Sequence, residues 1–310
     1  EERVMDQRQR CIWLIGQLLR EYPEYQDADE VDLPIPHDDD EQRQLLRALQ
    51  NVRPPAPVSE RFLHVQDEYL GGMLAQRAIT DADDVPPAET LRSGATLALW
   101  QGDITTLRCD AIVNAANSGL TGCYAPNHHC IDNAIHTAAG VQLRLACERI
   151  MEQQGHPEPV GSAKITPGFN LPARYVLHTV GPMIPSGDPT PAEQEQLADC
   201  YRSCLRLAAD HSLETVAFCA ISTGEFRFPA ELAARIVIRT VRDFLAQQLT
   251  HHELAQPSKQ PPKQPQTQTS AASTESAANH RPSNTIRKVI FDVFSDHDRQ
   301  IYERVFADHD

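Results

Sequence analysis

Apolar residues in the first ninety positions recur at helical spacing. The first set is Ile12, Leu14, Ile15, Leu18 and Leu19. A second helix is predicted over DDDEQRQLLRALQNV (38–52), where three aspartates stand at the start and favour the positive end of the helix dipole. A third is predicted over SERFLHVQDEYL (59–70), with Ser59 as its N-cap. We therefore predict that residues 1–90 form a small helical N-terminal extension, which packs on the rest of the chain or covers it as a lid.

From about residue 95 the pattern changes to strands that alternate with helices. The strand candidates are TLALWQ, DAIVNA, SAKITPG, YVLHTV and TVAFCAI. Helical patterns occupy about 131–154, 193–210 and 229–249, and Pro229 suits a first helical turn because its missing N–H is not needed there. This alternation is typical of α/β folds. Residues 91–310 are therefore predicted to form a three-layer α/β/α sandwich with a mixed, largely parallel sheet.

Residues 255–284 interrupt that pattern. They are rich in Gln, Pro, Ser, Thr and Ala and have almost no large apolar side chain, so they cannot bury enough surface to offset the entropy of ordering. The strand pattern RKVIFDVF and the helix pattern HDRQIYERVFADH follow. We expect a disordered insertion at 255–284 that loops out before the last strand.

Charge and composition narrow the possible partners. The 310-residue chain carries a formal net charge of −15, which argues against binding to duplex nucleic acid. A small nucleotide remains possible, because backbone N–H groups alone can hold a pyrophosphate. No apolar stretch has the length of a transmembrane helix, and the run from Cys11 to Leu19 is better explained by an amphipathic helix than by a signal peptide, so no membrane partner is expected. The eight cysteines are expected to be thiols or metal ligands, which favours a cytoplasmic or nuclear location.

Three short motifs lie at strand ends, where open α/β sheets bind their ligands. GDIT (102–105) offers an acidic acceptor for an exocyclic amine such as that of adenine. NAANS (114–118) offers amide groups for ribose hydroxyls, and ISTGEFRFP (221–229) offers free N–H groups for a pyrophosphate, chiefly at Ser222, Thr223 and Gly224. Each motif, taken alone, is also explained by a turn or a helix cap.

A fourth motif, GCYAPNHHCIDNAIHTAAG (122–140), crowds thiols and imidazoles into one loop. Thiolate and imidazole are preferred zinc ligands. Alternate side chains of an extended segment share a face, so His128 and Cys130 can meet one ion together with Cys123, while His129 points away. Three protein ligands would leave the open position of a catalytic zinc site. The alternative is two reduced thiols beside a chance histidine.

Asp132 follows this loop at the predicted start of a helix. The helix dipole and a nearby cation would both keep its carboxylate ionised, so it could orient or activate a water molecule. A capping role is the alternative, and both roles are compatible. His136, one turn later, is predicted to pack or to form a hydrogen bond on the helix face.

Taken in order, GDIT, NAANS, CIDNAIHTAAG, VLHTVGP and ISTGEFRFP resemble the macrodomain family, and specifically its MacroD-type hydrolases. The cysteine-bearing loop resembles that of zinc-dependent macrodomains, and the N-terminal segment resembles the extension that those proteins carry. The resemblance implies that Asp103 and Ile104 contact adenine, that Asn117 meets the distal ribose and that Asp132 is the catalytic aspartate. It further implies that the diphosphate and distal ribose are wrapped by Ser222, Thr223, Gly224, Glu225 and Phe226. Arg227 departs from the glycine of many relatives.

The expected function is zinc-dependent hydrolysis of mono-ADP-ribose from protein side chains, with a carboxylate ester as the favoured linkage. The expected cofactor is one Zn²⁺ ion, and the expected partners are ADP-ribose and ADP-ribosylated protein. Two alternatives are an ADP-ribose reader without turnover and a deacetylase of O-acetyl-ADP-ribose. A purely structural zinc site fits three ligands beside a carboxylate poorly.

Overall fold

The computed structural model describes residues 5–254 and 285–308, apart from the side chains of Glu30 and residues 247–254. Its helices are α1 (Gln7–Leu19), α2 (Asp39–Val52), α3 (Glu60–Leu74), α4 (Ile131–Ala139), α5 (Val141–Gln154), α6 (Pro191–Asp210), α7 (Ala230–Leu254) and α8 (Asp296–Ala307). Its strands are β1 (Thr80–Asp81), β2 (Pro87–Thr90), β3 (Thr96–Gln101), β4 (Leu107–Arg108), β5 (Ala111–Ala115), β6 (Ala163–Pro167), β7 (Tyr175–Thr179), β8 (Thr215–Phe218) and β9 (Lys288–Val293).

Seven strands form the main sheet, in the order β2-β3-β9-β8-β5-β7-β6. The five central strands pair in parallel, whereas β2 and β6 pair antiparallel at the two edges. β1 and β4 form a separate parallel pair. The carboxyl ends of the five central strands therefore share one edge of the sheet, and the loops that leave this edge can form a site.

Helices cover both faces of this sheet. Val113, Phe218 and Phe291 stand in register on three neighbouring strands. The ring of Phe218 stacks on Tyr201 of α6 with centroids 4.4 Å apart, and Phe291 lies 5.6 Å from Tyr302 of α8. This row of side chains packs against α6 and α8.

Residues that follow this row along the strands point to the opposite face of the sheet. Asn114 and His178 are register partners on β5 and β7. Asn114 bonds to Asp132 of α4, and His178 lies 3.7 Å from Cys147 of α5. The predicted three-layer sandwich with a mixed, largely parallel sheet is confirmed.

The three N-terminal helices share their own apolar core. Leu14 and Ile15 of α1 pack there with Leu46 of α2 and Phe62 of α3, and Val141 of α5 belongs to the same cluster. Ser59 caps α3 as predicted, since its hydroxyl accepts a hydrogen bond from the Phe62 N–H at 3.1 Å. The extension therefore packs firmly on the α/β domain.

Three details differ from the sequence pattern. The helix predicted over 131–154 is broken at Gly140, whose φ of 93° ends α4 before α5 begins. Pro229 lies just before α7 rather than within its first turn. β2 already belongs to the main sheet, so the sheet reaches into residues assigned to the 1–90 extension. The insertion predicted at 255–284 lies outside the described residues.

No helix among the described residues is both long and apolar enough to cross a bilayer.

Candidate functional site

Asp103 lies at the carboxyl end of β3, where its carboxylate already has partners. One oxygen accepts from the Thr105 N–H at 2.9 Å, and the other pairs with the guanidinium of Arg77. Burial, which raises the pKa of Asp103, is outweighed by the hydrogen bonds from Thr105 and Arg77, so this pKa lies below its ordinary value. The side chain of Ile104 is 1% exposed and belongs to the core, so only its main chain could contact a ligand.

The loop between β8 and α7 contains ISTGEFRFP. The N–H of Arg227 donates to the Gly224 carbonyl, and the N–H of Phe228 donates to the Ser222 carbonyl. Ser222 itself has a φ of 65°, and its buried hydroxyl has no hydrogen-bond partner among the described residues.

The rest of this loop presents free donors. Within residues 5–254 and 285–308, no acceptor pairs with the backbone N–H groups of Thr223, Gly224 and Glu225. Consecutive free N–H groups form a concavity that suits an anion. Phe226 is half-buried, and its carbonyl accepts from the N–H of Ile184 at 2.8 Å. The loop has the donors that a diphosphate requires.

The two asparagines of NAANS have different surroundings. Asn117 is exposed; its amide donates to the Gly122 carbonyl at 3.1 Å, and its oxygen accepts from the Gly119 N–H at 2.9 Å. Asn114 is fully buried and turned toward α4, so it cannot offer its amide to a ribose. The expectation that this motif supplies ribose contacts can hold only for Asn117.

The loop between β5 and α4 brings three potential metal ligands together. The ligand atoms of Cys123, His128 and Cys130 lie within 4.8 Å of one another, and exposed His129 is outside this group. Sγ of Cys123 lies 3.6 Å from Nδ1 of His128. Sulfur and nitrogen ligands of one tetrahedral zinc ion are also about 3.6 Å apart, given zinc bond lengths of about 2.3 and 2.1 Å. The donor set and its spacing fit zinc.

The other nitrogen of His128 faces a carboxylate. Nε2 lies 3.5 Å from Glu225, whose side chain reaches over from the β8–α7 loop. A carboxylate on the second nitrogen fixes the ring so that the first can bind a metal. Glu225, expected at the diphosphate and distal ribose, is therefore also placed to orient His128.

One glycine, Gly122, and one cysteine, Cys130, shape the two ends of this loop. Gly122 has a φ of 90°, and a Cβ there would lie 2.9 Å from the ring of His136, so the chain passes close over this ring. Cys130 caps α4, with its sulfur accepting from the Asn133 N–H at 3.4 Å. Burial raises the pKa of Cys130 to about 11, so this thiol would have to lose a proton in order to bind a metal.

Asp132 follows the metal-ligand loop (residues 122–130) in the first turn of α4 and is 5% exposed. Its carboxylate accepts from the Asn114 amide at 2.8 Å. Burial raises the pKa of Asp132 to about 6, and the bond from Asn114 and the charge of Arg144 oppose that rise only in part. Burial therefore works against the ionised form that the sequence led us to expect.

One buried histidine lies beside Asp132, and a second is connected to it through Asn114. Nε2 of His136 lies 3.5 Å from the Asp132 carboxylate, but burial lowers the pKa of His136 well below its ordinary value, so the contact is not an ion pair. His178 takes a hydrogen bond from Asn114 at 3.2 Å and pairs through Nε2 with Thr166 at 2.9 Å. Both rings are neutral. His178 supports the carboxylate through Asn114, whereas the ring nitrogens of His136 have no hydrogen-bond partner among the described residues.

His136, Cys147 and His178 also place their ligand atoms within 4.8 Å of one another. A metal there would have to displace the Thr166 hydroxyl from His178, and burial raises the pKa of Cys147 far above its ordinary value. We interpret this group as a buried polar cluster rather than a second metal centre.

A further candidate that the sequence motifs did not single out is Phe294, which follows β9 and is 82% exposed. Its carbonyl accepts from the Gln101 side chain at 3.3 Å, which places it beside the GDIT loop. A large apolar residue directly after a strand, at the edge where ligands bind, was the available signal.

Comparisons with known proteins agree with this fold. Residues 113–237 match the family model described as Macro domain. A protein-ADP-ribose hydrolase of Treponema medium is 47% identical, over 98% of this chain and 100% of that protein. A protein-ADP-ribose hydrolase of Staphylococcus aureus strain MSSA476 is 43% identical, over 98% of each chain.

Solved structures show the same fold. The Oceanobacillus iheyensis macrodomain with MES bound is 32% identical with a TM-score of 0.53, covering 69% of this chain and 92% of its own. The Trypanosoma brucei macrodomain in complex with ADP-ribose is 25% identical with a TM-score of 0.56, covering 83% of this chain and 94% of its own.

Proposed function

The chain belongs to the macrodomain family, and on that premise we propose that it hydrolyses mono-ADP-ribose from modified protein side chains with one zinc ion held by Cys123, His128 and Cys130. The observation that carries the proposal is the position of this ligand group, which immediately precedes the buried carboxylate of Asp132. The relatives named protein-ADP-ribose hydrolase support the reaction class.

The ligand would lie along the carboxyl edge of the parallel strands. Adenine would stack on the exposed ring of Phe294 and donate its amine to Asp103. The diphosphate would take the free N–H groups of Thr223 and Gly224. Asn117 would meet the distal ribose near the metal-ligand loop.

The bond to be cleaved joins C1″ of the distal ribose to an oxygen of a protein carboxylate. Water adds across this ester, so that ADP-ribose and the free carboxylate leave. Zinc would supply a Lewis acid and a template for a ribose oxygen or water. Asp132 would orient the nucleophile and accept its proton, because its carboxylate stands at the start of α4, directly after the loop that would hold the zinc. Glu225 would keep His128 in its ligating orientation.

The test is turnover of a protein that carries ADP-ribose on glutamate, before and after removal and return of zinc. Cys123→Ala should lose both zinc and activity. Asp132→Ala should keep zinc and ADP-ribose binding while turnover falls by about 100-fold or more. Undiminished turnover without zinc would remove the metal from the proposal.

Two further outcomes would favour other functions. Tight ADP-ribose binding without turnover on any protein linkage would identify a reader. Faster cleavage of O-acetyl-ADP-ribose than of modified protein would identify a deacetylase.

A further inference from the structure

The metal-ligand loop, residues 122–130, is held by side chains from a helix of the N-terminal extension. Arg47 of α2 donates to the His128 carbonyl at 3.0 Å, across 81 positions of sequence. One turn further along α2, the side-chain oxygen of Asn51 accepts from the Asn127 N–H at 2.9 Å. The backbone of the loop is thus fixed at two points by α2.

Arg47 also reaches the start of α4. Its guanidinium donates to the side-chain oxygen of Asn133 at 2.8 and 3.1 Å. The amide of Asn133 donates in turn to the Ala125 carbonyl at 3.1 Å, and its backbone N–H donates to the sulfur of Cys130. One guanidinium therefore links the main chain at His128 with the residue that bonds to Cys130.

A second arginine fastens the other end of the loop. Arg144 of α5 is 6% exposed and donates to the Thr121 carbonyl at 2.6 Å and to the Cys123 carbonyl at 3.4 Å. Its remaining bonds go to three carbonyls at the end of α2, those of Gln50, Asn51 and Arg53, at 3.0, 2.8 and 2.6 Å.

These three carbonyls are groups that a helix leaves without internal partners at its C-terminus, and the helix dipole there favours a cation. The buried guanidinium of Arg144 thus takes its acceptors from main-chain carbonyls, three of them at the end of α2, and among the described residues no carboxylate bonds to it directly. Without α2, this cation would lose most of its acceptors. The loop and the extension therefore depend on one another.

We propose that α2 of the N-terminal extension builds the metal site, with Arg47 and Asn51 as positioning residues that hold the loop in its ligating conformation. The inference rests on the proposed function, since it requires that the loop binds zinc. Residues that orient metal ligands from the second layer change metal affinity by about 10- to 100-fold when they are replaced.

The experiment compares zinc dissociation constants of full-length variants, measured by competition with a chromophoric chelator. Arg47→Met keeps the apolar stem and removes the guanidinium, and we expect zinc affinity to fall by about 10- to 100-fold. Arg43→Met is the matched control: Arg43 lies one turn earlier on α2, is exposed and pairs with Asp40. Its zinc affinity should equal that of the unmodified protein.

Arg47→Lys provides a second variant that keeps a charge and a donor for the His128 carbonyl. Lysine cannot also make the forked contact with Asn133, so its zinc affinity should lie between those of the unmodified protein and Arg47→Met. It preserves the test if Arg47→Met does not fold, as judged by circular dichroism.

Equal zinc affinity in the Arg47 and Arg43 variants would overturn this inference and leave the proposed function intact. Absence of zinc binding in the unmodified protein would overturn both. Recovery of turnover at saturating zinc in Arg47→Met would support a positioning role. If Arg47 took part in the reaction itself, added zinc would not restore the lost turnover.

Discussion

The amide of Asn114 donates to the carboxylate of Asp132 over 2.8 Å, and the same nitrogen lies 3.2 Å from Nδ1 of His178. Its two hydrogens therefore serve one partner each. Nδ1 of His178 must be the acceptor, so Nε2 carries the proton and donates to Thr166. This chain of bonds runs from β6 to α4 and holds Asp132 in one orientation.

Replacing Asn114 by Ala should therefore slow turnover while ADP-ribose binding is retained. A hydrogen bond to a charged group contributes about 1.5–3 kcal/mol, which corresponds to about 10- to 100-fold in rate. Steady-state turnover and ADP-ribose titration measure the two effects. Asn170→Ala is the control, since this amide bonds to Asp67 away from Asp132. Equal turnover in both variants would contradict a positioning role for Asn114.

His178 should make the free energy of unfolding depend on pH. Burial lowers its pKa to about 3 from an ordinary value of 6.5. Between these two values only the unfolded chain takes up the proton. The free energy of unfolding should therefore be highest, as far as His178 is concerned, above pH 6.5 and should fall as the pH falls toward 3. The groups that face it are Asn114, Thr166, Cys147 and His136.

Urea unfolding of the unmodified protein and of His178→Gln at pH 7.5, 6 and 5 isolates this contribution. Glutamine keeps a donor near Thr166 and does not titrate. The stability difference between the two proteins should shrink as the pH falls, because only the unmodified protein is destabilised through this site. A constant difference would show that His178 does not carry the effect.

Metal analysis should find one zinc atom per chain. Cys123→Ala should lose it, because this change removes one of three ligands. Cys147→Ala should keep the zinc, because Cys147 is not one of these three ligands. Its neighbour His178 cannot bind a second metal while both ring nitrogens are paired with Asn114 and Thr166. Two zinc atoms in the unmodified protein, with one lost in Cys147→Ala, would establish the second centre that the structure argues against.

Phe294→Ala should weaken ADP-ribose binding by about tenfold or more, because stacking of a base on an aromatic ring contributes about 1–3 kcal/mol. Calorimetric titration measures the change, and turnover at saturating substrate should be little affected. Phe169 is also exposed but follows β6, at the opposite edge of the sheet from the carboxyl ends of the parallel strands. Phe169→Ala should bind normally; an equal loss in both variants would refute adenine stacking on Phe294.

Local patterns in the sequence were sufficient for the elements themselves. Short apolar runs identified the strands β3, β5, β6, β7, β8 and β9, because central parallel strands are buried on both faces. Period-3.6 spacing identified the main helices, because burial of one helix face leaves that spacing in the chain. Ser59 indicated the start of its helix because an N-cap hydrogen bond joins residues only three positions apart. The group of Cys123, His128 and Cys130 could also be predicted from the sequence, since its members lie in one short loop.

Other features depend on residues that meet only in the folded chain. Gly140 divides a continuous helical pattern because its backbone turns to positive φ, a choice that packing makes and periodicity does not record. Asn114 looked like a ribose contact from its motif. It became a buried support because β5 faces α4, and the direction in which a strand faces is set by the whole sheet.

The largest difference between what the sequence predicted and what the structure shows concerns the N-terminal extension. By itself the sequence determined three amphipathic helices, whose apolar faces required something to pack against. Only the tertiary structure decided that the polar side of α2 would meet the metal-ligand loop, through Arg47 and its contact with the His128 carbonyl. Every residue carries a main-chain carbonyl that can accept a hydrogen bond, so such a bond leaves no mark in the sequence of the segment that receives it.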